Sequence, residues 1–148
     1  MRIFCDTNII VEWVTQRQLS KQIAQILATQ EKGNTFFISS GSFYTIAYII
    51  DRYLKQKGLQ DPERTTEARK VLKSLLAVLE IADMYKPSFL SGLDNVRITD
   101  LEDGFQYECA RSCGADLLLT INIKDFKEME HQALPIMTPA MFLESTCL

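Results

Sequence analysis

The sequence predicts an α/β domain built on a parallel sheet, and three observations carry that expectation. Five short apolar runs lack the alternation of a half-exposed strand: Ile3-Phe4-Cys5, Phe36-Phe37-Ile38, Leu79 to Ala82, Leu117-Leu118-Leu119 and Ile136-Met137. Between them lie helix-length segments whose apolar residues recur at helical spacing. Hydrophobic residues make up 47% of the 148 positions and charged residues 24%, the balance of a soluble globular protein. Strands buried on both faces and separated by helices need crossover connections, which generate a parallel sheet covered on both sides.

Each element follows in order. The first strand ends at Asp6-Thr7-Asn8, and Ile9, Ile10, Trp13 and Val14 continue on a short helix. Leu19 to Gln30 predicts a helix with Ile23, Ile26 and Leu27 on one stripe. The second strand ends at Ser39-Ser40. Tyr44 to Leu54 is an unusually apolar helix, mostly core, and any face it leaves exposed would suit a second copy or a partner. Lys55 to Glu67 contains Gly58, Asp61 and Pro62 and reads as a loop. Arg64 to Leu79 is helical again, with Ala68, Val71, Leu72 and Leu75 aligned, and leads into the third strand. A long middle segment reaches a helix opening at Thr99-Asp100-Leu101-Glu102-Asp103. The fourth strand, Asp116 to Leu119, ends at Thr120-Ile121-Asn122. No linker or repeat interrupts the chain, so 1–148 reads as one domain.

Several function classes drop out. No apolar run reaches the ~18 residues of a membrane span, and Asp6 arrives before a secretory core could form, which predicts a cytoplasmic protein. Nineteen acids against sixteen bases leave a charge of −3, so a general basic coat for nucleic acid is absent. Bound divalent cations can still reverse the sign of a site locally. Cys5, Cys109, Cys113 and Cys147 have no CxxC spacing and read as reduced, mostly buried thiols. No Gly-rich loop follows a strand, so a dinucleotide or P-loop cradle is unsupported. The lone His131 reads as a surface residue.

In parallel α/β folds, ligands collect outside the carboxyl ends of the strands. Asp6 stands at one such end, as a helix N-cap or as a functional acid. Thr99 and Glu102 fit a capping box, which accounts for Glu102 and leaves Asp103 without a capping duty. On the helix, Asp103, Gln106, Tyr107 and Ala110 share one face, and Leu101, Phe105 and Cys109 share another that should be buried. After the fourth strand, Asn122 and Asp125 offer oxygen ligands or an Asx turn. Thr120 can fix that loop, Phe126 can anchor it, and Lys124 and Lys127 can meet phosphates or stay solvated. Converging acids repel unless protonated or neutralised by cations. Oxygen ligands without nearby His or Cys select Mg²⁺ or Mn²⁺. A metal-bound water is then the natural nucleophile, a chemistry suited to phosphodiester hydrolysis.

At these residues the chain resembles the PIN-domain family, which includes the ribonuclease toxins of VapBC toxin–antitoxin pairs. The opening Ile3-Phe4-Cys5-Asp6-Thr7-Asn8 is similar to its first strand and Asp-Thr-Asn turn. Glu102-Asp103-Gly104-Phe105-Gln106-Tyr107, Gly114-Ala115-Asp116 and Thr120 to Phe126 are similar to its C-terminal signature. The resemblance implies a three-layer αβα sandwich around a mainly parallel, about five-stranded sheet. It also implies a Mg²⁺- or Mn²⁺-dependent endoribonuclease, an antitoxin partner and a homodimer. Asp6 and Asp103 then correspond to the metal-site acids, Asn122 and Asp125 to the trailing ligands, and Thr7 and Asn8 to supporting residues. One position departs: where many members carry Glu in the helix after the second strand, this chain has Thr45, so Glu102 or Asp100 would have to supply the missing charge. A catalytically inert PIN-like module that binds RNA or protein is the alternative. A haloacid-dehalogenase-type phosphatase would need a second Asp where this chain has Asn8.

Overall fold

The computed structural model describes residues 1–129 and 134–146, with no side-chain description at 127–129. His131, Cys147 and the Lys127 side chain therefore lie outside the described residues. Five parallel strands, β1 (Arg2–Cys5), β2 (Thr35–Ser39), β3 (Leu79–Ala82), β4 (Leu117–Leu119) and β5 (Ile136–Met137), form one sheet in the order β3-β2-β1-β4-β5. All five apolar runs are strands.

Register explains why those runs are apolar without alternation. Ile3 pairs with Phe36 and Leu117, and Phe4 pairs with Phe37 and Leu118. Successive side chains point to opposite faces, so Ile3, Phe36 and Leu117 enter one core while Phe4, Phe37 and Leu118 enter the other. The first core is closed by α1 (Thr7–Val14), α2 (Ser20–Leu27), α3 (Ser40–Gln56), α4 (Glu63–Leu76) and α7 (Pro139–Thr146). The second is closed by α6 (Leu101–Ser112), through Tyr107, Cys109 and Ala110, and by Phe126 from the loop after β4. The three layers expected from the sequence are present.

Some boundaries differ from the sequence reading. The helix expected from Leu19 to Gln30 is α-helical only to Leu27. It then tightens to 3₁₀ over Ala28–Lys32 and stops where Gly33 adopts φ 89°, the left-handed geometry glycine takes without strain. The expected Lys55–Glu67 loop shrinks to 57–62, because α3 runs to Gln56 and the Asp61 carboxylate accepts from Arg64 and Thr65 at the start of α4. The helix expected to reach Leu79 ends at Leu76, leaving Leu79 to pair with Phe36. The middle segment contains α5 (Lys86–Asp94), with Pro in its first turn, where a fixed φ suits the helix start.

Gly92 and Gly104 seat α5 against α6. A Cβ on Gly92 would stand 2.8 Å from Phe105 Cδ1 and 3.3 Å from the Gly104 carbonyl carbon, so only glycine allows this approach. Cys5 and Cys109 are buried free thiols and Cys113 is a half-buried one. Burial pushes the Cys109 thiol up to about 12, consistent with inert packing residues.

Candidate active site

The strand order reverses between β1 and β4, and the crevice outside their carboxyl ends is where such folds hold ligands. A cleft of about 340 Å³ opens there. It is lined by Asp6, Thr7, Asn8, Asp100, Glu102, Asp103, Asn122 and Asp125. Thr120 lies buried beneath it. The site residues expected from the sequence thus come together around one opening, although they derive from three separate parts of the chain.

Asp6 is 3% exposed. It holds the N-cap position of α1, yet its side chain makes no capping hydrogen bond. Its Oδ2 instead accepts from the Thr120 hydroxyl at 2.8 Å and from Asn8 Nδ2 at 2.6 Å. Thr120 Oγ1 in turn accepts from Asn8 Nδ2 at 3.2 Å and from the Asn122 N–H at 3.1 Å, while Asn8 Oδ1 accepts from the Ile121 N–H. Burial pushes the Asp6 carboxyl up, the Thr120 hydrogen bond opposes this, and the Glu102 charge adds to it.

The expected capping box does not form. Asp100, not Thr99, caps α6, accepting from the Glu102 and Asp103 N–H groups at 2.8 and 3.3 Å. An Asp side chain reaches both donors from that position, here through Oδ1 alone, and Glu102 has no capping role. The Glu102 carboxylate accepts from the Thr7 hydroxyl at 3.3 Å. The helix rests on the sheet through Tyr107, Cys109 and Ala110, all fully buried, so Cys109 is buried as expected while Leu101, in the first turn before that contact, is 57% exposed. Asp103 stands on the packed side, half-buried at the lip of the cleft. Its carboxyl is pushed up to about 7, by burial first and then by the charges of Asp6, Asp100, Asp125 and Glu102.

A polar network lies under these acids. Ser39 caps α3 by accepting from the Ser42 N–H, and the Ser42 hydroxyl meets Ser39 Oγ and Thr7 Oγ1, each at 2.8 Å. Gln106 Nε2 donates to both Thr7 and Ser42. The Glu102 carboxylate can only accept, so Thr7 gives it its one hydrogen, Ser42 gives its own to Thr7, and Ser39 to Ser42. Each hydroxyl is thereby assigned one donation, directed toward the cleft. Gln106 Oε1 is buried without a partner among the described residues.

Two features escaped the sequence. The network joins Thr7, Ser39, Ser42 and Gln106 from three distant segments, and nothing in their local spacing signals it. Arg17 also lines the cleft. It is turned there by the end of α1, where Gln16 adopts φ 53°, its N–H bonds to the Trp13 carbonyl, and the Arg17 N–H bonds to the Glu12 carbonyl. This is a Schellman ending, and the absence of the usual glycine hid it. Thr45 lines the cleft as well, its hydroxyl turned onto the Gly41 carbonyl of its own helix at 3.4 Å.

The donor set, carboxylates and an amide oxygen with no His or Cys among the described residues of the lining, fits a hard divalent cation. Among the described residues, no three His, Cys, Asp or Glu side chains are placed to hold one ion as they stand. Burial first, and then the like charges around it, raise Asp103, and the charge repulsion is what a cation would relieve.

Fold and cleft together define an α/β protein with an acid-lined crevice at its topological switch point. A family model described as PIN domain matches residues 2–124, and the chain belongs to the PIN-domain family. Among solved structures, it is similar to a chain of VapBC2 from Rickettsia felis, solved bound to a DNA fragment from their promoter. The TM-score is 0.65 at 21% identity, covering 93% of this chain and 98% of that one. It is also similar to a chain of VapBC-1 from nontypeable Haemophilus influenzae, with a TM-score of 0.63 at 17% identity over 95% of this chain and 99% of that one. At these identities the likeness is one of fold. No curated protein matches the sequence.

Proposed function

We propose that residues 1–148 act as one cytoplasmic domain, a Mg²⁺- or Mn²⁺-dependent endoribonuclease and the toxin of a VapBC-type pair. The observation that carries this reading is that Asp6 and Asp103 line one cleft at the switch point, with Asp6 held by Thr120 and Asn8. Asp6, Asp103 and Asn122 would hold the ion. Asp125 and Glu102 contribute beyond them, through an outer shell or a second ion. A bound ion would polarise the phosphoryl oxygens and lower the pKa of a coordinated water.

Thr7, Asn8 and Thr120 act by positioning. Thr120 and Asn8 fix the Asp6 carboxylate, and Thr7 fixes Glu102. Asp100 gives one oxygen, Oδ1, to the α6 cap and Glu102 has no capping duty, which favours Glu102 over Asp100 as the acid that stands in for the one missing at Thr45. Likeness of fold to chains of VapBC pairs supports a small antitoxin as partner, and the assembly that goes with this reading is a homodimer. Light scattering at micromolar concentration tests the dimer, and a monomer there contradicts it.

Thr45 favours a second reading, an inert PIN-like module that binds without cutting. Incubating labelled single-stranded RNA with the protein in Mn²⁺, in EDTA and as Asp103→Asn separates the two. Cleavage confined to the wild type with metal is expected. Binding without cleavage in every arm supports the inert module.

A further inference from the structure

The acid-lined cleft does not end at the acids. Arg17 and Ile49 line it and also line a second cleft of about 210 Å³, which continues past Tyr48, Arg52 and Tyr53. Beyond the Tyr48–Arg52 pair a third, of about 660 Å³, extends to Lys55. From Thr45 at the acids to Gln56 the path follows α3 for eleven residues, about 16 Å at 1.5 Å per residue.

Charge on this path is opposite to that at the acids. The Arg17 and Lys55 side chains have no hydrogen bond or ion pair among the described residues, and the Arg52 guanidinium meets only Tyr48, at 3.2 Å from its hydroxyl and 5.7 Å over its ring. The nearby carboxylates Asp51 and Asp61 are taken by Arg64. In a chain of net charge −3, a row of cations with no carboxylate partner among the described residues, contiguous with an acidic site, calls for a ligand with repeated negative charge. An aromatic ring on the path narrows the choice: Tyr48, which lines the second and third clefts, is 61% exposed. A ring so exposed on a basic track suits unpaired bases, which stack on aromatic faces while phosphates follow the cations. A duplex keeps its bases stacked on one another and leaves such rings without a partner.

We propose that the α3 track, running from Arg17 to Tyr48, Arg52 and Lys55, binds the strand of a single-stranded RNA flanking the bond at the acids. This rests on the ribonuclease reading. Arg17 meets the phosphate next to the acids, Tyr48 stacks a base, and Arg52 both braces Tyr48 and meets a further phosphate.

Fluorescence anisotropy of the full chain tests the track, using a labelled mixed-sequence single-stranded RNA of ~12 nucleotides, within the range of known single-strand sites. Asp103→Asn serves as the background, so that binding is read without cleavage. Tyr48→Ala and Arg52→Ala should each weaken binding about tenfold, and Tyr48→Phe should restore it. Arg52→Ala should also reduce the salt slope by about 0.7, the value of one single-strand phosphate contact. The same sequence as a duplex should bind several-fold more weakly. Unchanged affinity in both alanine variants, with folding checked by circular dichroism, overturns the track, as does equal binding of duplex. Binding of a polyglutamate peptide in place of RNA overturns it in favour of a protein ligand. The ribonuclease reading fails separately, if wild type binds through these residues but cuts nothing in Mn²⁺.

Discussion

The Thr120 hydroxyl donates to Asp6 Oδ2 at 2.8 Å, joining residues 114 positions apart across the β1–β4 switch point. Both are buried, so the bond is shielded from solvent and fixes the carboxylate on which the proposed site depends. Thr120→Val keeps the shape and removes the donor. We expect Mn²⁺ affinity to fall about 10- to 100-fold, the usual effect of losing a partner that orients a metal ligand, with a stability loss of about 1 kcal/mol. Calorimetry and thermal melts check both, and unchanged affinity would mean that Asp6 needs no such support.

Glu102 and Asp100 should separate by readout. Asp100 caps α6 through two N–H groups, so Asp100→Ala should cost about 1 kcal/mol of stability while leaving Mn²⁺ affinity within a few-fold. Glu102→Gln should do the reverse, sparing the melting temperature and weakening metal binding or cleavage. Melts and titrations of the two variants decide this. Loss of metal binding in Asp100→Ala alone would give the role to Asp100.

Asp103 makes the metal-free protein sensitive to pH. Its folded pKa of about 7 lies above the unfolded value near 4, so between these the folded state binds more protons. Its contribution is then greatest at low pH and is lost as pH rises through 7. In metal-free buffer the wild type should melt at a higher temperature at about pH 5.5 than at about pH 8, and Asp103→Asn should reduce that difference. Added Mn²⁺ should stabilise more at the higher pH, where the carboxylate is free. A pH dependence identical in both proteins would refute the assignment.

Gly92→Ala tests the seating of the helix that carries Asp103. The added Cβ would meet Phe105 at 2.8 Å and the Gly104 carbonyl carbon at 3.3 Å. Overpacking of this kind costs about 1–3 kcal/mol, read as a lowered denaturation midpoint. Gly58→Ala, at φ 93° with open space around it, is the comparison: its cost comes from backbone strain and should leave Mn²⁺ affinity unchanged.

The strands were legible because sheet residues buried on both faces must be apolar, and each of the five runs became one. Asp6, Asn122 and Asp125 were legible because the carboxyl ends of strands mark the crevice. The start of α6 was not, since Thr99 and Asp100 are both good caps and only the fold shows which reaches the N–H groups. Arg17 was hidden by a left-handed turn that carries Gln16 in place of glycine. The Ser39–Ser42–Thr7–Gln106 network was invisible because its members meet only after three segments pack.

The most direct test of the proposed metal site is calorimetric titration of Mn²⁺ into the metal-free wild type and Asp103→Asn at about pH 8, above the Asp103 pKa. The account predicts saturable binding in the wild type and its loss in the variant. Equal isotherms in both, whether binding or silent, would contradict a site built on Asp6 and Asp103.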